Sequence, residues 1–75
     1  MGRLVTVDVS GATCPLPLLR AKSALKQMDV GDVLKLIATD KQAHQDVVRF
    51  CSRGQCKILN ISNSDIQYIF LIEKC

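Results

Sequence analysis

Tryptophan is absent from this 75-residue chain, and its only aromatics are one tyrosine and two phenylalanines. A core must therefore be assembled mainly from Val, Leu, Ile and Ala. The same scarcity weighs against single-stranded RNA binding, which stacks bases on aromatic side chains. No apolar run approaches the roughly 20 residues needed to cross a bilayer, so no direct membrane contact is expected. Met1-Gly2-Arg3 leads straight into a strand-like pattern, without the apolar stretch of a secretory signal, and a cytoplasmic location is expected. Met1-Gly2 with Thr6 fits the short myristoylation pattern, but Leu4, Val5 and Val7 read better as a strand that the core needs. No two cysteines stand as Cys-x2-Cys, so no structural zinc site is expected; no cofactor is expected either. The net charge of +3 permits an acidic partner but is far from the dense basic stripe of a nucleic-acid binder.

What is present reads as one α+β domain over residues 1–75. Leu4–Val9 is β-branched and partly alternating, which predicts a strand. From Pro15 the period changes: Leu18, Ala21, Leu25 and Met28 form the apolar stripe of a helix that ends at Asp29–Asp32 around Gly31. Val33–Ala38 predicts a second strand, and Thr39 or Asp40 caps a second helix whose stripe is Ala43, Val47, Phe50 and Cys51. Gly54 ends that helix. Lys57–Ile61 and Ile66–Ile72 predict two further strands joined as a hairpin through Ser62–Asp65. The order β-α-β-α-β-β implies a two-layer α/β sandwich: a four-stranded mixed sheet with both helices on one face.

The chemistry concentrates in Gly11-Ala12-Thr13-Cys14-Pro15-Leu16-Pro17. Gly11 frees the backbone for a turn. Proline is favoured at the first helical position, which makes Pro15 that position and Cys14 the expected N-cap; Pro17 is tolerated in the same turn. The partial positive charge of a helix N-terminus stabilises a thiolate, so a lowered thiol pKa is expected. The dipole alone is too weak to ionise a thiol fully at neutral pH, and N–H donors or lysines must add to it. Prolines lack N–H groups, which argues against a phosphate loop here and suits a large, polarisable sulfur better. Cysteine is also a poor cap beside Ser, Thr, Asp or Asn, so a purely structural role explains it badly.

At these residues the sequence resembles the TusA/SirA-like family of small sulfur-carrier proteins. Asp8, Gly11 and Cys14-Pro15-Leu16-Pro17 look like that family's Cys-Pro-x-Pro box after the first strand, and Gly31, Asp40, Asp46-Val47 and Phe50-Cys51 extend the similarity along the chain. The resemblance implies that Cys14 accepts sulfane sulfur as a persulfide. The donor would be a cysteine desulfurase or a rhodanese-like protein, and the sulfur would pass to a downstream acceptor protein. That makes the chain a carrier, a sulfurtransferase in the loose sense, rather than a multiple-turnover enzyme on small substrates. Ala12, Leu16 and Lys41 depart from common family residues and bear on the pathway more than on the thiol.

Lys22 and Lys26 share a helix face and are candidates for partner contact, with Arg20 a weaker member of the patch. Asp40 is an N-cap and a candidate contact. His44 reads as a helix-surface residue. Without a secretory segment, Cys14, Cys51, Cys56 and Cys75 are expected as reduced thiols: Cys51 as packing, Cys56 as a strand residue, Cys75 as a mobile end. Three rivals to the carrier remain at this level: a thiol-redox module pairing Cys14 with another cysteine, an RNA-binding or regulatory module, and an interaction module whose box is structural.

Overall fold

In a computed structural model, which describes residues 2–75, the alternating apolar residues of the N-terminal segment form strand β1 (Leu4–Val9). Met1, where the short acylation pattern begins, lies outside the described residues. Val5, Val7 and Val9 turn to the core, as a period of two requires. Helix α1 (Leu16–Lys26) buries Pro17, Ala21 and Leu25, four residues apart, and Met28 closes the stripe just beyond it. Strand β2 (Val33–Ala38) puts Leu34, Leu36 and Ala38 fully inside. Helix α2 (Lys41–Phe50) begins at Asp40, whose carboxylate accepts the Gln42 N–H, and buries Ala43 and Val47. A wide π-helical turn, Cys51–Gln55, follows, and Gly54 at φ 92° reverses the chain. That positive φ is open to glycine at little cost.

Strands β3 (Cys56–Asn63) and β4 (Tyr68–Lys74) complete an antiparallel hairpin. The sheet order is β1-β2-β4-β3, with β1 and β2 parallel and the other pairs antiparallel. Strand β4 thus inserts between β2 and β3. The four-stranded mixed sheet and two helices are those expected from the element order.

The hairpin ends differ from expectation. Asn63 pairs with Tyr68, and the Ser64 N–H donates to the Gln67 carbonyl at 2.9 Å, so β3 runs two residues longer and β4 starts two later. Ladder pairing carries Ser62 and Asn63 into a strand that their propensities disfavour. Ile66, read as strand, lies in the turn and is 75% exposed. Within β3 a bulge between Ile58 and Asn60 sets Ile58 opposite Ile72 and Ile61 opposite Phe70. Residues three apart would otherwise face opposite sides of the sheet; the bulge lets both reach the core and turns Leu59 outward.

At the far end from the α-helix N-termini, Asp32 is buried and accepts the Arg3 and Asp29 N–H groups at 2.9 and 3.0 Å, with the Arg3 guanidinium 3.4 Å away. These backbone donors, Arg3 first, hold its carboxylate below the ordinary 3.8. A depressed folded-state pKa stabilises fully above the unfolded value and is lost as pH falls through the folded one. Asp32→Asn should therefore lower the thermal midpoint at neutral pH and flatten the decline below about pH 4, where the wild type loses this stabilisation. Thermal melts of both proteins between neutral and strongly acid pH check this.

Candidate functional site

The loops leaving the C-terminal ends of the parallel strands β1 and β2 are tied together. Gly11, at φ 83°, donates its N–H to Thr39 Oγ1 at 2.8 Å, and Cys14 donates its N–H to Asp40 Oδ2 at 2.5 Å. Asp40 thus caps α2 with one oxygen and holds the cysteine backbone with the other. Beyond it the Leu16 N–H returns to the Thr13 carbonyl at 2.8 Å, and Pro17 is anchored in the core. The Cys14–Pro15 peptide is cis. The result is an exposed, free thiol on a short loop whose backbone is held from both sides.

Two expectations for this cysteine need correction. The helix starts at Leu16 with Pro15 as N-cap, so Cys14 precedes the cap. The turn closed between Thr13 and Leu16 uses Cys14 and Pro15 as its middle residues, which shifts the helix start by one. The thiol pKa is also raised rather than lowered. Cys14 Sγ donates to Asp46 Oδ2 at 3.0 Å; this hydrogen bond is the largest cause, followed by desolvation and the negative charges of Asp46 and Asp40. Two carboxylates nearby outweigh the dipole of a helix whose cap and first turn hold two prolines lacking N–H groups. Asp46, noted from sequence only for its family likeness, was not legible as a partner of Cys14. The contact depends on how α2 crosses α1.

The basic residues gather on the adjoining surface. Lys22 Nζ stands 5.1 Å from the Phe50 ring centroid, a cation–π arrangement that turns the charge along α2. Lys22, Lys26, Leu25, Phe50 and Arg53 line an open groove of about 540 Å³. A smaller depression of about 210 Å³ adjoins it and takes in Lys22, Arg49, Arg53 and Asp46. Cationic walls therefore run from the groove to the carboxylate that holds the Cys14 thiol. Arg20 is exposed but outside both linings. Arg49, Phe50 and Arg53 join the patch through the packing of α2 and the turn after it. His44 is half-buried and packs on the Tyr68 and Phe70 rings at 5.7 and 6.3 Å.

The cysteines are not all reduced. Cys51 and Cys56 form a disulfide across the π-helical turn, with Cα atoms 4.9 Å apart, while Cys14 and Cys75 stay free and exposed. The reversal at Gly54 brings the two together, and both are buried. The spacing Cys-x4-Cys around a glycine carried that signal. Native alkylation without reductant should modify two thiols per chain, rising to four after reduction and unfolding; intact mass counts the adducts.

Among the described residues no cluster of His, Cys, Asp and Glu is arranged to hold a metal ion, and no helix is long and apolar enough to cross a membrane. The fold and site are those of a small α+β protein with an exposed, free thiol on the loop between β1 and α1 and basic residues on the adjoining surface. The family model described as Sulfurtransferase TusA matches residues 5–74. A candidate sulfur carrier protein of Neisseria meningitidis serogroup A is 44% identical over 68 residues, covering 91% of this chain and 92% of the relative. The sulfur carrier protein TusA of Allochromatium vinosum is 38% identical over 68 residues, covering 91% and 90%. That of Pseudomonas entomophila is 30% identical over 69 residues, covering 92% and 86%. The chain belongs to the TusA family of sulfur carriers, and a carrier works between proteins that supply sulfur and proteins that accept it.

Proposed function

We propose that the chain carries sulfane sulfur as a persulfide on Cys14 within a protein relay. The observation that carries this reading is the free, exposed Cys14 thiol on its tethered loop, bonded to an Asp46 that shares a depression with Lys22, Arg49 and Arg53. In loading, the Cys14 thiolate attacks the outer sulfur of a donor cysteine persulfide. A new S–S bond forms at Cys14, the donor's S–S bond breaks, and the electron pair leaves on the donor's cysteine thiolate. The proton lost by Cys14 equals the one the donor thiolate regains, and no external oxidant is needed. Unloading repeats the exchange with an acceptor thiolate. The donor is a cysteine desulfurase or a rhodanese-like protein, and the setting is the cytoplasm.

Lys22, Lys26 and Arg53 present charge that suits an acidic partner surface, and Leu25 and Phe50 supply an apolar floor. Gly11, Pro15 and Pro17 serve by holding the loop. The buried Cys51–Cys56 bond is inaccessible to a large partner and belongs to the scaffold. The test is intact mass after incubation with a desulfurase and cysteine, or with thiosulfate and a rhodanese. The wild type should gain one sulfur atom, removable by a thiol, and Cys14→Ser should gain none.

A further inference from the structure

Among the described residues Asp46 is the one side chain that takes a hydrogen bond from the Cys14 sulfur, and it comes from a different element. It sits on α2, half-buried, 3.0 Å from Cys14 Sγ across the junction with the α1 loop. A carboxylate is a far weaker base than a thiolate, so at neutral pH the shared proton stays on sulfur. We infer that Asp46 is a positioning residue for sulfur exchange: its carboxylate orients the Cys14 thiol and keeps the proton there until a cation draws the carboxylate away. This role rests on Cys14 as the transfer site.

The charged groups around the pair are distributed over every neighbouring element. Asp40, the cap of α2, holds the Cys14 N–H and adds a second negative charge. Lys22 from α1, Arg49 from α2 and Arg53 from the π-helical turn line the depression that also contains Asp46. Among the described residues none of the three forms an ion pair with Asp46, so the carboxylate is committed to the thiol while cations stand near it. Lys22 faces the Phe50 ring instead. A partner that presses one of these cations onto Asp46, or brings a cation of its own to it, pairs the carboxylate, weakens its hold on the proton and frees a thiolate inside the complex. The unloaded carrier is meanwhile a poor nucleophile toward stray disulfides and oxidants, which react with thiolates.

The experiment is the pH dependence of iodoacetamide alkylation at Cys14 in full-length protein carrying Cys75→Ser, read by intact mass, with sulfur loading followed in parallel. Asp46→Asn keeps the shape and removes the charge. Its alkylation profile should move to lower pH, with a several-fold higher rate at neutral pH. Asp46→Glu, which retains a carboxylate, should restore a profile near the wild type. Profiles of Asp46→Asn and wild type that superimpose would overturn the inference even if Cys14 loads normally. A shifted profile supports it whether or not sulfur loads, since alkylation reads the thiol directly. Failure of the wild type to load would count against the carrier reading alone. A matching thermal midpoint for the Asn variant confirms that the shift is not a loss of fold.

Discussion

Serine at position 14 is expected to abolish sulfur loading while leaving the fold intact. The Cys14 side chain is exposed and makes one hydrogen bond, to Asp46. Serine has the same shape with a shorter bond and can donate to the same carboxylate. Substitutions at such surface positions usually change stability by no more than about 0.5 kcal/mol. The loop is held by backbone groups that the change does not touch, the Gly11 and Cys14 N–H groups and the turn at Leu16. Function should respond quite differently. A serine hydroxyl is not ionised at neutral pH and cannot form a persulfide, so the loss is complete rather than graded. Cys75→Ser is the matched control, since it removes the other free thiol and should leave loading unchanged. Loading of Cys14→Ser but not Cys75→Ser would move the site to the C-terminus. Intact mass of the three proteins, with circular dichroism for the fold, gives the answer.

Phe70→Ala is expected to remove a large share of the protein's stability. Phe70 lies on β4 between β2 and β3, is fully buried, pairs with Leu36 and Ile61, and stacks near Tyr68 at 6.1 Å. Removing a buried phenylalanine costs about 3–5 kcal/mol, in lost transfer energy and in the cavity left behind. A chain of this length has a total stability of about 4–11 kcal/mol. The thermal midpoint should fall by more than about 12 °C, given about 4–8 °C per kcal/mol for domains of this size. Few alternatives exist for filling the space, because aromatic side chains number three in the whole chain. Leu59→Ala, on the same hairpin but turned outward by the bulge, should shift the midpoint little. Denaturant or thermal melts of the two variants compare these outcomes.

The architecture was readable because its signals are local. The period of two in Leu34, Leu36 and Ala38 and the spacing of Ala21 and Leu25 follow from strand and helix geometry alone. Asp40 as a cap needed only its position before Lys41. The hairpin was harder, since Ile66 is apolar but loop, and only pairing across the ladder selects Asn63 with Tyr68. Cys14 stood out as the candidate thiol, yet its environment was misjudged. Helix-dipole reasoning uses residues next to the cysteine, whereas the deciding carboxylate is 32 positions away in the chain.

Residue order alone was enough for the alternation of elements, the apolar faces and the choice of Cys14 as the candidate thiol, because each depends on neighbours within one or two turns. Folding in three dimensions settled which carboxylate meets that thiol, which cations share its surface, and that Cys51 bonds to Cys56. Electrostatic and covalent contacts act across space at a few ångströms, and the packing of α2 against α1 and the reversal at Gly54 bring those groups within reach.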